Sequence, residues 1–183
     1  MDISALIRQC QAGNSDAFGQ IYDLYADRIF RFIRLKIQEP RQAEDLLQDV
    51  FVKAWQGLPK LPLEKLNFQA WLYKVANNTI NDHFRKTYRT PIMTELTTDL
   101  PIAASDSPAK TTAAIVDAAV LKQALEGLPK TYQQVLELRF IQDFSVAETA
   151  GILGKTNLAV RLLQHRALKQ LKLIMENTHA YET

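Results

Sequence analysis

Between Phe68 and Arg89 the residues Lys74, Asn77, Asn78, Asn81 and Arg85 recur at i, i+3, i+4, i+7 and i+11. At 100° per residue that spacing places all five on one face of a helix. Three asparagines on one exposed face are poor helix chemistry, each costing about 0.6 kcal/mol against alanine. They suit nucleic acid better. An Asn amide can pair bidentately with adenine, and lysine or arginine holds phosphate. Arg85, Lys86 and Arg89 extend the basic end of the segment, although cations there also complement the helix macrodipole. Phe68, Trp71 and Tyr73 open the same helix. An unpaired base stacking on an aromatic ring gains roughly 1–3 kcal/mol. Phe68 and Trp71 fit the core stripe, so Tyr73, which lies off it, is the stacking candidate.

A second constellation is basic. From Thr149 to Met175 there is no Asp or Glu, yet Lys155, Arg161, Arg166, Lys169 and Lys172 give five positive charges in a chain whose net charge is +2. Val160, Leu163, Ala167, Leu171 and Ile174 form one apolar stripe, and Arg161, His165, Lys169 and Lys172 fall roughly opposite. The preceding SVAETAGIL reads as a short helix capped by Ser145, with Gly151 and Gly154 at a turn. Two short helices across a tight turn, the second one basic, form a helix-turn-helix. A basic ridge on its second helix suits phosphate and major-groove contacts.

The third constellation is acidic. AEDLLQDVFVKAW, residues 43–55, carries Glu44, Asp45, Gln48 and Asp49 on its outward face. An acidic first turn is ordinary helix dressing. Paired carboxylates also serve acid–base catalysis, but no His, Ser or Cys partner stands at a telling spacing and the site would be convex. The chain is therefore not expected to be an enzyme.

These segments need helices to position them. Helical periodicity dominates and alternating strand patterns are nearly absent. Phe18, Ile21, Tyr22, Tyr25, Ile29, Phe32 and Ile33 make an apolar face, with Asp16 as its expected cap. A second helix is predicted over 41–56, with Ala43, Leu47, Val50, Phe51 and Ala54 inward, and a third over 68–89, with Trp71, Leu72, Val75, Thr79 and Ile80 inward. Between Pro91 and Ala113, three prolines stand among Thr, Ser, Ala and Asp and no stripe persists. This stretch reads as a flexible linker. Its 23 residues would span ~25 Å on average and ~75 Å if extended. Further helices are expected at 114–127, 130–141, 145–153 and 157–175, followed by a frayed tail. The fold class is all-α: two small helical domains, 1–90 and 114–183, joined by the linker 91–113.

Composition excludes several classes. One cysteine, Cys10, and three scattered histidines make neither a disulfide framework nor a metal cluster. No cofactor is implied. The N-terminus lacks the basic start and long apolar run of a signal peptide. No apolar stretch approaches the ~20 residues of a membrane helix. A cytoplasmic setting follows as the expectation.

AEDLLQDVFVKAW followed by FQAWLYKVANNTINDHFRK resembles the second conserved region of bacterial RNA polymerase sigma factors. LPKTYQQVLELRFIQDFSVAETAGILGKTNLAVRLLQHRALKQLK resembles their fourth. With only a linker between them, the chain is similar to the extracytoplasmic-function (ECF) group of the sigma-70 family, over about residues 10–90 and 115–175. The resemblance implies that Glu44, Asp45, Gln48 and Asp49 dock on the polymerase clamp helices. It implies that the loop 58–67 and the following helix recognise and open the minus-ten promoter element, through Asn67, Tyr73, Lys74, Asn77, Asn78, Asn81, Arg85 and Lys86. The helix 157–172, with Lys155 and Thr156 before it, would read the minus-thirty-five element through Asn157, Arg161, His165, Arg166 and Lys169. Its partners would be bacterial core RNA polymerase and promoter DNA, with an anti-sigma factor as a second protein partner. The free protein would be a monomer with no membrane insertion.

The chain departs from the family in places. Leu162-Leu163 stands where many relatives have a Ser-Arg pair, and Lys155 replaces an aliphatic residue. The loop 58–67 is rich in Pro, Leu and Lys instead of small residues. Leu158 and Leu162 point to the basic side, as contacts for thymine methyl groups or as part of a protein contact. A stand-alone helix-turn-helix regulator explains the C-terminal block as well, but neither the acidic face nor the asparagine helix. A structural adaptor would predict no DNA contact.

Overall fold

The computed structural model describes residues 2–62, 67–89 and 121–180. The predicted linker 91–113, and the start of the helix predicted from residue 114, lie outside the described residues. Among those described, every regular element is a helix.

The N-terminal bundle begins with α1, Ile3–Gln11, capped by the Asp2 carboxylate, which accepts from Ser4 N at 2.9 Å. Leu6, Ile7 and Cys10 form its buried face. The chain then turns through Gly13 at φ +93°, left-handed backbone that glycine adopts without strain. Helix α2, Ser15–Arg34, is capped by Asn14, whose Oδ1 accepts from Asp16 N at 2.9 Å and Ala17 N at 3.3 Å. Asp16, the cap expected from sequence, sits inside the first turn instead. Asn14 has the extended backbone a cap needs, and Asp16 there still meets the positive end of the helix.

Pro40 opens α3, Pro40–Gly57, where a missing N–H costs nothing. Its buried side is Ala43, Leu46, Leu47, Val50, Phe51 and Ala54. A 3-10 turn, Leu58–Lys60, follows, and Gln11 Nε2 donates to the carbonyls of Leu58 and Leu61, each at 3.0 Å. Gly57 must be small: a Cβ there would lie 3.0 Å from the Trp71 ring. That close approach lets α4, Phe68–Arg89, pack along α3.

The C-terminal block starts with helical residues 121–126. Gln133 Nε2 fastens the turn after them, donating to Glu126 O at 3.0 Å and Leu128 O at 2.8 Å. Helix α5, Lys130–Leu136, widens into a π turn, Glu137–Ile141. Then come α6, Val146–Leu153, and α7, Asn157–Ala180. Leu128, Leu136 and Ala167 form a small core, covered by Leu125, Tyr132, Leu171 and Ile174.

The two blocks meet in this structure. Helix α6 lies against α4, and Leu138, Phe144 and Ile152 join the core of the N-terminal bundle. The sequence led us to expect two modules able to sit apart. Here the second covers one edge of the first.

Candidate nucleic-acid and protein interfaces

On α3 the burial pattern leaves Glu44, Asp45, Gln48 and Asp49 all exposed. Among the described residues none of the three acids forms an ion pair. The same outward stripe continues through Val52, 53% exposed, and Trp55, 37% exposed. Trp55 is held from behind by the Phe18 ring, centroids 5.0 Å apart in an edge arrangement. Sequence reasoning missed these two residues. The i+3/i+4 spacing from Asp45, Gln48 and Asp49 could have found them. Four polar groups around an exposed valine and tryptophan make a surface with a desolvatable centre, as protein interfaces have.

On α4 the expected single face divides. Lys74, Asn78 and Arg85 are exposed and Asn81 is half-buried. Arg85 also pairs with Asp82 one turn back, at 3.3 Å. Lys86 lies exposed beside it. Asn77, by contrast, is only 3% exposed. Its Nδ2 donates to Ile152 O of α6 at 3.0 Å, and its Oδ1 accepts from Lys36 Nζ at 3.3 Å. Tyr73 is fully buried, a correction to its reading as an exposed stacking ring. Its ring meets Phe32 at 5.1 Å and Phe144 at 5.2 Å, both edge-on. Burial, reinforced by Glu137, pushes its hydroxyl far above the ordinary phenol range. The physical reason is that α4 has two packing partners. The N-terminal bundle buries the stripe through Leu72, Ala76 and Ile80, and the C-terminal block buries the adjacent stripe through Tyr73 and Asn77.

Asn67 has a local job. Its Oδ1 caps α4 by accepting from Ala70 N at 3.1 Å, while its Nδ2 donates to the Glu148 carboxylate. Gln69 Nε2 donates to Gln142 Oε1 at 3.2 Å across the same contact. Lys36, half-buried here, has its pKa lowered first by desolvation and then by Lys155.

The helix-turn-helix is built from local signals. Ser145 Oγ accepts from Glu148 N at 3.2 Å while Glu148 Oε2 accepts from Ser145 N at 2.8 Å, a complete capping box. The Ser145 N–H, the largest influence, holds the Glu148 carboxyl below its ordinary range. Helix α6 ends at Gly154, left-handed at φ +64°. Thr156 Oγ1 then caps α7, accepting from Ala159 N at 3.2 Å. Val160 and Ala167 are buried and Leu163, Leu171 and Ile174 half-buried, so the apolar stripe faces inward. Lys155, Thr156, Asn157, Arg161, His165, Arg166 and Lys169 are all exposed. Beside this block, Phe140 and Ile141 project from the π turn and line an apolar groove with Leu35, Leu121 and Leu125. No periodicity in the sequence announces that turn.

Comparison with known proteins gives the arrangement a context. Residues 21–90 match the family model described as Sigma-70 region 2, and residues 118–171 the one described as Sigma-70, region 4. The chain is 34% identical over 173 residues to the ECF RNA polymerase sigma factor BldN of Streptomyces coelicolor, covering 93% of this chain and 64% of that protein's length. It is 30% identical to the ECF RNA polymerase sigma factor ShbA of Streptomyces griseus, covering 95% of each. Its fold is similar to that of the sigma factor RpoE, solved with the anti-sigma factor NepR from Bartonella quintana: TM-score 0.67, 22% identity, 87% of this chain and 96% of that one.

Proposed function

Since this chain belongs to the extracytoplasmic-function group of the sigma-70 family, we propose how its faces on α3, α4 and α7 share the work of that family. As a sigma factor it binds core RNA polymerase and directs promoter-specific initiation of transcription. Sigma factors are regulatory subunits, not catalysts. The finer assignment is ours. Residues 1–90 dock on core and act on the minus-ten element, residues 91–113 link, and residues 114–183 read the minus-thirty-five element.

The acidic face of α3 is the docking surface, with Glu44, Asp45, Gln48 and Asp49 around Val52 and Trp55. Charged groups at such a rim steer encounter and fix register, and the apolar centre supplies desolvation. On α4, Lys74, Asn78, Asn81, Arg85 and Lys86 remain available to the separated strand. Asn77 is covered by α6, Tyr73 is packed between Phe32 and Phe144, which lies just before α6, and Asn67 serves as a cap bonded to Glu148. For those three to meet DNA, α6 must leave α4. On α7, Arg161, His165, Arg166 and Lys169 stand ready for phosphates and base edges, with Lys155, Thr156 and Asn157 at the helix start.

The observation that carries this reading is the coexistence on one chain of an exposed acidic docking helix and an uncovered basic reading helix. A stand-alone regulator needs only the second. A protein inhibitor of the anti-sigma kind, as in the RpoE complex, is a further expected partner. The working compartment is the cytoplasm, where polymerase is. Among the described residues no helix is long and apolar enough to cross a membrane.

Run-off transcription with purified bacterial core polymerase on host genomic fragments tests the reading. Discrete transcripts that depend on this protein are expected, and Asp45→Arg with Asp49→Arg should lower core affinity at least tenfold while each bundle stays folded, because exposed charges add little to stability. Unchanged affinity would remove the docking role of α3. Tight binding of the protein alone to a palindromic duplex, with no transcripts, would favour the regulator.

A further inference from the structure

Two leucines on α7 have no structural reason to be leucine. Leu158 is 67% exposed and Leu162 49% exposed. They are one turn apart, so their side chains lie next to each other on the helix surface. Neither belongs to the small core of the C-terminal block, which is closed by Leu128, Leu136 and Ala167 with their covering residues. Leu158 is the second residue of α7 and Leu162 the sixth. Those are the first two turns of the second helix of a helix-turn-helix, the part that reaches base edges.

The surroundings identify what the pair would touch. At 100° per residue, Leu158, Leu162, His165 and Lys169 run down the middle of the outward face, flanked by Arg161 on one side and Arg166 on the other. All four polar residues are exposed, and among the described residues Arg161, Arg166 and Lys169 make no ion pair. An apolar pair bracketed by uncommitted cations fits a surface with phosphate rails and an apolar spot between them. In a major groove the apolar spot is the 5-methyl group of thymine, which no other base carries there.

We propose that Leu158 and Leu162 are specificity-determining residues that read thymine 5-methyl groups at neighbouring base pairs of the upstream promoter element. The inference rests on the reading of α7 as the minus-thirty-five helix. It adds that the preference at those pairs is set by apolar contact, with Arg161 and Arg166 fixing the helix against the backbone. His165 and Lys169, further along, serve the positions beyond.

Replacing thymine by deoxyuridine removes the methyl group and leaves every hydrogen-bonding atom in place. The holoenzyme is assembled with core polymerase and bound to a promoter recovered by run-off. Each thymine of its upstream element is then changed to deoxyuridine in turn. One or two positions should lose roughly three- to fivefold in affinity, the scale of one buried carbon. Leu158→Ala with Leu162→Ala should bind the thymine template more weakly by a similar factor per methyl, and should be indifferent to deoxyuridine. Both leucines are exposed and alanine is the better helix former, so the variant keeps its fold. Wild-type binding that ignores every deoxyuridine overturns the inference, as does an upstream element with no adenine–thymine pair. If the double variant instead loses core affinity without DNA, the leucines belong to a protein contact. Absence of any core-dependent promoter binding would sink the underlying assignment of α7, and this inference with it.

Discussion

Helices α4 and α7 are both expected to meet promoter DNA, yet the structure treats them oppositely. On α7 every polar residue assigned to DNA is exposed, and the buried side chains all face the other way. On α4 the assigned face is split, with Lys74, Asn78 and Arg85 outside and Tyr73 and Asn77 inside. The second set is covered by residues from the other end of the chain, Phe144 against Tyr73 and Ile152 against Asn77. A helix packed only within its own block keeps a reading face; a helix that is also covered by the other block gives part of that face to it. Engaging DNA through α7 then needs no rearrangement, whereas full engagement through α4 requires loss of the α4–α6 contact. Within that contact Asn77 bonds to Ile152, and beside it lie the Tyr73–Phe144 ring pair, the Gln69–Gln142 hydrogen bond and Asn67 bonded to Glu148.

The largest effect should come from Phe144→Ala. Phe144 is buried at the junction and touches Tyr73. Its truncation should cost about 3 kcal/mol in urea unfolding and raise the affinity of the free protein for single-stranded minus-ten DNA. Lower stability with unchanged strand affinity would mean that the contact hides nothing that DNA uses.

Next is Arg161→Ala on the open helix. It should weaken promoter binding by the holoenzyme about equally for all upstream sequences, and flatten the salt dependence by roughly one unit. No change in slope would show that Arg161 touches no phosphate. Among the described residues the exposed guanidinium makes no ion pair, so folding stability should stay the same.

Adjacent asparagines sharpen the contrast within α4. Asn77→Ala removes both the bond to Ile152 O and the acceptor for Lys36, and should cost roughly 1 kcal/mol of stability. Asn78→Ala is exposed and should gain a few tenths of a kcal/mol from helix propensity while lowering open-complex formation. Equal thermal shifts for the two would contradict the split face.

Glu148→Gln is expected to have the smallest effect, under about 1 kcal/mol at neutral pH, through the capping box and Asn67. The folded pKa of Glu148 is lowered, chiefly by the Ser145 N–H. Its ionic contribution is therefore present above the ordinary carboxylate pKa and lost as pH falls through the folded value. The stability gap between wild type and variant should narrow on acidification. A gap that widens would assign the carboxylate the opposite role.

The sequence made α7 legible because its signals are local. Ser145, Gly154 and the spacing Val160, Leu163, Ala167, Leu171, Ile174 each act within a few residues and the structure uses them, whereas Gly151, also expected at the turn, lies inside α6. The acidic face of α3 was legible for the same reason. Misreadings arose where burial came from distant chain. Periodicity reports how apolar a helix face is, so Asn77 and a tyrosine off the main stripe read as outward. Residues more than 70 positions later bury both. Asp16 looked like a cap because caps are judged by residue type, while the extended backbone falls at Asn14. The π turn at Glu137–Ile141 has no compositional mark. Val52 and Trp55 were passed over because apolar residues are read as core unless exposure is known.

The most direct test of the contrast between α4 and α7 is the distance between the two bundles, measured by pulsed electron spin resonance. Spin labels would be placed at Asp23→Cys in α2 and Leu173→Cys in α7, both exposed, with the buried Cys10 changed to alanine. A single distance in the free protein, giving way to a longer one when core polymerase and promoter are added, is the predicted result. The same distance in the promoter complex would contradict it, since Asn77 and Tyr73 would then remain covered while the minus-ten element is engaged.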